Sequence, residues 1–218
     1  MQRTMTIVGN IVILLTSYLT TPFAFSEEWQ LEKSQKPIQV FSRDISNPQK
    51  KSLYKEILAV TTVKASPVAL LNVLNDIKRA PQWIDNCIEV KIIANPEPQT
   101  KLVQSTFSAP WPLHKRDMLT KSITHFQDQQ IVIDITDAGD TLPTEKNTVR
   151  MTDIQGRWTI TPMTEGNIEI RYQGTGNPAG NIPIWLANKV LIDSTFITFK
   201  NLSSIITEEM YQHSEITH

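Results

Sequence analysis

Most of the chain alternates apolar and polar residues in short segments separated by turn-forming residues. A period of two is typical of a strand that buries one face and exposes the other. Because short links join the segments in sequence order, we expect one antiparallel sheet. The pattern predicts nine strands, at Ile38–Arg43, Leu53–Val63, Cys87–Ala94, Lys101–Ser108, Asp117–Phe126, Gln130–Thr136, Thr148–Asp153, Gly156–Pro162 and Asn167–Gly174.

Two short helices are predicted between the second and third strands. Ser66 and Pro67 indicate a helix start, because serine caps a helix and proline fits its first turn. Apolar residues then recur at helical spacing until Pro81, which should end the helix. A second short helix around Trp83 is expected to pack against the first.

The longest helical pattern lies near the end of the sequence. Residues 184–211 carry apolar side chains over a broad face, as for a helix laid across a concave sheet. We therefore predict an α+β helix-grip fold, with a curved antiparallel sheet wrapped around a long C-terminal helix. One helix leaves the interior of such a sheet either overpacked or hollow. A short helical lead-in is predicted at Glu28–Gln35.

The N-terminal residues have the pattern of a secretory signal peptide. Arg3 precedes an apolar run at residues 7–19, and small residues follow up to Ser26. We expect residues 1–26 to be removed, leaving a domain at 27–218 that is periplasmic or secreted. The alternative is a retained anchor, since the stretch is nearly long enough to span a bilayer when tilted.

Composition and motifs argue against several function classes. The 218 residues have a formal charge of −1, which gives no electrostatic reason to bind nucleic acid. The single Cys87 forms neither an internal disulfide nor a cysteine-based metal site. The four histidines are scattered, and no nucleophile elbow, zinc-protease motif or phosphate loop occurs. We expect a monomer without cofactor, metal or catalytic residue.

One tryptophan is placed for contact with a partner. Trp111 lies between Pro110 and Pro112, which fix the backbone and remove two hydrogen-bond donors, so this loop cannot join the sheet. A large aromatic side chain on a rigid loop suits an interaction surface. The alternative is that Trp111 folds back onto the core.

Several short motifs follow one another along the chain. They are Tyr54-Lys-Glu56, Trp83 after Leu74-Asn-Asp76, Pro110-Trp-Pro112 before Arg116-Asp117, Val149-Arg-Met151, Gly156-Arg-Trp158 with Pro162, and Asn177-Pro-Ala-Gly180 before Ile182-Pro-Ile-Trp185. No single motif is specific, but their order and spacing resemble the START (steroidogenic acute regulatory-related lipid transfer) domain, of a bacterial secreted type. The resemblance covers about residues 28–211.

This resemblance implies a hydrophobic cavity between the sheet and the last helix, holding one lipid. It also implies that the Pro-Trp-Pro loop and the loop before the last helix form the mouth of this cavity, where Trp111 enters the bilayer; an indole suits that interface. Trp185 either forms the opposite lip or packs into the core. The expected mouth residues are Trp111, Leu113, Ile182, Ile184 and Trp185, and the expected cavity residues are Phe107, Asp134, Arg150, Trp158, Leu191 and Phe199.

Asp134 and Arg150 are the charged candidates for the cavity. If both point inward they should pair, because an unpaired buried charge is strongly unfavourable. Such a pair would orient a lipid headgroup or hydroxyl. The alternation of Ile131, Ile133 and Ile135 also allows the opposite, with Asp134 facing solvent.

Two function classes remain. The first is a non-enzymatic carrier that contacts a membrane transiently and exchanges one lipid. The second is a small-molecule enzyme, cyclase-like or hydrolase-like, on the same scaffold, since fold alone does not decide chemistry.

Overall fold

The computed structural model describes residues 28–45, 54–109 and 112–213. These residues form ten strands and three α-helices. The strands are β1 (Gln30–Gln35), β2 (Ile38–Arg43), β3 (Glu56–Lys64), β4 (Cys87–Glu97), β5 (Thr100–Phe107), β6 (Lys115–Gln127), β7 (Gln130–Asp137), β8 (Thr148–Arg150), β9 (Thr152–Pro162) and β10 (Asn167–Asn177). The helices are α1 (Ala69–Asn75), α2 (Ala80–Trp83) and α3 (Ile184–Ile205).

The strands form one sheet in the order β1-β2-β3-β10-β9-β7-β6-β5-β4. All neighbours along this path are antiparallel, and α3 packs along β2 and β3 and against α2. The predicted helix-grip fold is therefore confirmed. One pairing differs from the prediction, because β8 runs parallel to β6. The predicted strand Thr148–Asp153 is divided at Met151, so its first half leaves the antiparallel path.

Both ends of the described chain differ from the predicted helices. The lead-in predicted as a helix is strand β1, which forms a hairpin with β2 around Lys36 and Pro37. Pairing with β2 at the edge of the sheet thus outweighs a weak local helix preference. The last helix ends at Ile205, and a 3-10 turn at Glu209–Tyr211 follows. The chain turns there because Tyr211 is fully buried and its hydroxyl donates to Asp76.

The start of α1 also differs from the prediction. Ser66 was expected to cap this helix with its side chain, but the capping position is Val68, and no side-chain cap bond forms. Ser66 instead accepts a turn hydrogen bond from the Ala69 amide through its carbonyl, at 3.0 Å. Pro81 lies inside the first turn of α2, where its missing N–H costs nothing.

The core lies between the inner face of the sheet, which is the face toward α3, and the three helices. Directly paired residues of antiparallel strands share a face, so Trp158, Ile133 and Tyr172 all point inward. Trp158 stacks on Phe199 of α3, with ring centroids 5.7 Å apart. Within the described residues, no helix is both long and apolar enough to cross a bilayer.

Candidate functional site

Two loops meet at the end of the sheet where β5 ends and β6 begins. The first connects β5 to β6, and the second, residues 178–183, connects β10 to α3. Arg116 joins them, because its Nε donates to the Pro178 carbonyl at 3.2 Å and its Nη1 donates to the His114 carbonyl at 2.7 Å. The backbone amide of Ala179 donates a hydrogen bond to Asn177 Oδ1 at 2.8 Å, which stabilises the start of the second loop. The two loops predicted to form a mouth are therefore adjacent.

Four of the predicted mouth residues surround this end of the sheet, and we call them the rim: Leu113, Ile182, Ile184 and Trp185. The first three are half-buried. Trp185 is 68% exposed, so its alternative role in core packing is wrong. Trp111 lies outside the described residues, and its role stays a prediction.

Burial along α3 changes sharply below the rim. The buried residues of this helix all lie in its last seven positions: Phe199, Leu202 and Ile205. Leu191 stands eleven residues before Leu202 and therefore on the same helix face, about 20° away by the geometry of 3.6 residues per turn. Even so, Leu191 is only half-buried. In the first half of α3, Ile192 packs against the core, whereas Leu191 on the inward face keeps accessible surface that Leu202 does not.

The sheet opposite this half of α3 shows the same incomplete packing. Phe107, Met118 and Ile135 all lie on the inner face, as their strand pairing shows. Each is apolar and each keeps accessible surface. Deeper along the same strands, Ile131 and Ile133 are 5% exposed. Among these inner-face apolar side chains of β5, β6 and β7, packing is therefore close at one end and incomplete toward the rim, where Phe107, Met118 and Ile135 lie.

Aromatic rings mark the boundary between these two regions. Tyr172 of β10 lies beside Trp158, with ring centroids 4.5 Å apart, and Trp158 stacks on Phe199. Two glycines that face each other across β9 and β10 make room for the phenol: a Cβ at Gly174 would lie 2.7 Å from the Tyr172 hydroxyl, and one at Gly156 would lie 3.1 Å from it. Burial raises the pKa of Tyr172 to about 12, so the hydroxyl is protonated at neutral pH.

The predicted pair of Asp134 and Arg150 does not form. Asp134 lies on the outer face of the sheet, where it pairs with Arg157 at 2.6 Å. Arg150 binds Asp117 instead, also on the outer face. The alternation of Ile131, Ile133 and Ile135 toward the core explains this outcome, because a residue between inward isoleucines must point outward.

The four remaining cavity candidates lie at different depths. Trp158 and Phe199 are buried in the boundary cluster, at 7% and 1% exposure. Phe107 and Leu191 lie nearer the rim and are half-buried. The structure therefore places these four around the incompletely packed end of the inner face and puts Asp134 and Arg150 outside it.

Comparison with known proteins assigns the family. A family model described as START domain matches residues 20–207. The chain belongs to the START domain family. This START domain is 31% identical to an uncharacterized protein of Pseudomonas aeruginosa over 182 residues, which cover 83% of this chain and 88% of that protein. START domain-containing protein 10 of Homo sapiens and Mus musculus is 25% identical over 162 residues, 74% of this chain. The aligned region is 55% of that longer relative.

Solved structures agree with this assignment. A STAR-related lipid transfer protein of Xanthomonas axonopodis superposes with a TM-score of 0.74 at 27% identity, covering 83% of this chain and 99% of that one. Human STARD10 superposes with a TM-score of 0.72 at 21% identity, covering 84% of this chain and 74% of that one. The second likeness concerns the fold.

Two charged side chains from the START motifs form an ion pair that stabilises the outer face of the sheet. Asp117 and Arg150 form a bidentate pair with both bonds at 2.9 Å, and their side chains are 1% and 8% exposed. Gln104 donates to the same carboxylate, and Arg150 donates to the carbonyls of Gly139 and Leu142. Burial alone would raise the pKa of Asp117, but the hydrogen bonds from Arg150 and Gln104 outweigh it and hold the pKa below its usual range.

A cleft of about 490 Å³ opens beside Trp185, between β1 and the first half of α3. Lys33 and Lys189 line it, and both pair with Asp193, at 2.6 and 2.5 Å. Lys55 also lines it, and its Nζ lies 3.3 Å from Asp44 Oδ1. The exposed indole is thus flanked by three lysines that already have carboxylate partners.

The described residues contain no group of three or more histidine, cysteine, aspartate or glutamate side chains able to hold a metal ion. The one thiol, Cys87, is half-buried, and burial raises its pKa to about 11, so it stays protonated at neutral pH. This is the state of a structural cysteine, since the thiolate is the reactive form.

Sequence reasoning missed Tyr172 and the two glycines beside it. The signal was a two-residue spacing in each of two neighbouring strands, Gly156 to Trp158 and Tyr172 to Gly174. Such spacing puts each pair on one face of its strand. The register that sets Gly156 opposite Gly174 was needed to show that the two pairs form one cluster.

Proposed function

We propose that this START domain binds one lipid, or another hydrophobic molecule, between the inner face of the sheet and the first half of α3, and carries it between membranes as a monomer. The ligand enters and leaves at the rim. Membership of the START domain family supports lipid binding in general, without naming the lipid. The similar Xanthomonas axonopodis protein is described as a lipid transfer protein.

The observation that carries the proposal is the incomplete packing below the rim. Apolar side chains that point inward but keep accessible surface lose contacts on one side, which is unfavourable in a closed core. Phe107, Met118, Ile135 and Leu191 all have this character. An apolar ligand between them would restore those contacts and remove their remaining surface from water.

The rim is suited to contact with a bilayer surface. Trp185 presents an indole to solvent, and this side chain favours the boundary between headgroups and acyl chains. Ile182 and Ile184 supply apolar surface beside it. We propose that these residues enter the interface while the two loops separate, together with Trp111, whose part in the contact is inferred from sequence.

We also propose that the protein works in the periplasm or outside the cell. The support is the sequence pattern of residues 1–26, with its basic start, apolar run and small residues before Glu27. The enzymatic alternative would need acid and base groups that converge inside the fold. No specific observation in the described residues favours it over lipid binding.

Transfer between vesicles tests this function directly. Donor vesicles carry a fluorescent phospholipid and a quencher, acceptor vesicles carry neither, and protein-dependent dequenching reports transfer. We expect transfer by the wild-type domain and a large loss in Leu191→Trp, because the larger side chain fills the space below the rim. The matched control is Val190→Trp, one residue earlier and about 100° around the helix, where the native side chain is 46% exposed. Equal transfer by both variants would contradict the proposed site.

A further inference from the structure

The Tyr172 hydroxyl lies on the inner face of the sheet, beside Gly156 and Gly174. The phenol of Tyr172 extends along β10 toward Gly174, and the following residues of that strand lead to the rim. Its hydroxyl therefore points from the aromatic cluster into the incompletely packed region. Because a Cβ at Gly174 or Gly156 would lie within 3.1 Å of this oxygen, the two glycines keep its position open.

This hydroxyl lacks a hydrogen-bond partner among the described residues. Tyr172 is partly buried and packs against the core, and burial is the one cause that raises the pKa of its side chain. Its hydroxyl oxygen is not among the fully enclosed polar side-chain atoms of the described residues, so it remains reachable from the space around it. A phenol in such a position usually takes a hydrogen-bond partner. Tyr211 shows the ordinary case, with its hydroxyl bonded to Asp76 at 2.9 Å and to Arg79 at 3.1 Å.

We propose that the Tyr172 hydroxyl is the polar anchor of the lipid site and hydrogen-bonds an uncharged oxygen of the ligand, a hydroxyl or a carbonyl. This inference rests on the proposed function and adds the class of ligand group that reaches the bottom of the site. A protonated phenol both donates and accepts, so either kind of oxygen satisfies it.

The surroundings of the hydroxyl favour a neutral group. Trp158 and Phe199 form the packed side of the cluster, and Ile135 lies across the strands. The inner-face cations Arg116 of β6 and Lys101 of β5 lie three and four strands away from β10 and are engaged there. Arg116 binds loop carbonyls at the rim, and Lys101 bonds Asn75 of α1. An anion beside Tyr172 would therefore be buried without a counter-charge, which is strongly unfavourable.

A competition between two ligands of similar length tests the anchor. The protein is loaded from detergent micelles that contain equal amounts of 1-dodecanol and 1-chlorododecane, and the extracted ligands are quantified by gas chromatography. We expect wild type to favour the alcohol and Tyr172→Phe to lower the alcohol-to-chloride ratio by about 3- to 10-fold, the value of one hydrogen bond. The phenylalanine ring keeps the packing against Trp158.

Two further variants make the outcome specific. Tyr211→Phe removes a hydroxyl at the opposite end of the core and should leave the ratio unchanged. Gly174→Ala displaces the Tyr172 hydroxyl without deleting it and should lower the ratio as well. Equal ratios in wild type and Tyr172→Phe, or an equal fall in Tyr211→Phe, would overturn the anchor while the site itself stands. Failure of wild type to take up either ligand would instead overturn the proposed function.

Discussion

The buried pair of Asp117 and Arg150 supports a quantitative prediction for Asp117→Asn. The substitution removes the negative charge but keeps the size of the side chain, and it leaves the Arg150 cation buried without a counter-charge. The new amide group also faces donors, because Arg150 and Gln104 both donate to the native carboxylate. Breaking one side of a buried ion pair costs about 3–5 kcal/mol.

That loss is large for a domain of this size. The free energy of unfolding of a natural domain is about 5–15 kcal/mol. For a domain of 150–250 residues, losing 1 kcal/mol of it lowers Tm by about 2–4 °C. We therefore expect urea unfolding to show a loss of about 3–5 kcal/mol and Tm to fall by roughly 6–20 °C.

The matched control is Asp134→Asn, the same chemical change on the same outer face. Asp134 pairs with Arg157, but these side chains are 32% and 61% exposed. Exposed ion pairs contribute about 0.2–1 kcal/mol, so the control should lose no more than that. Losses of similar size in the two variants would refute the reasoning from burial.

Three further predictions concern the rim, the glycine pair and pH. Trp185→Ala should lower the fraction of protein that co-sediments with liposomes. Phe126→Ala should leave this fraction unchanged, because Phe126 is 61% exposed but lies at the far end of β6. Gly174→Ala should lower the free energy of unfolding in urea by about 1–3 kcal/mol, because its Cβ meets the Tyr172 ring. The lowered pKa of Asp117 contributes stability above its unfolded value, near pH 4, which is lost as pH falls through the folded pKa. Unfolding in urea should therefore need less denaturant below about pH 4, with a weaker pH dependence in Asp117→Asn.

Much of the fold could be predicted because its strands follow hydrophobic alternation. The start of the last helix at Ile184 was predicted correctly, since an apolar face begins there after a proline-rich loop. The end of that helix was wrong because Met210 and Tyr211 continue the apolar pattern after the chain has turned. The helix predicted at Glu28–Gln35 was wrong, because pairing with β2, and not local composition, decides the conformation of this segment.

The candidate site was harder to predict because it depends on strand register. Asp134 was correctly seen as a possible outer-face residue from its isoleucine neighbours. The partner of Arg150 could not be found from sequence, since β8 reaches Asp117 through a parallel pairing that local pattern does not show. Tyr172 was missed for a related reason: its isolation becomes visible only when β9 and β10 are aligned and their glycines face each other.

We propose that one lipid occupies the space between the inner face and the first half of α3. Native mass spectrometry of the protein purified from its own host, followed by organic extraction, tests this most directly. We expect a one-to-one complex whose extra mass is recovered as a lipid and whose occupancy falls in Leu191→Trp but not in Val190→Trp. Protein that is empty, and that takes up no member of a broad lipid panel, would contradict the claim and favour the enzymatic alternative.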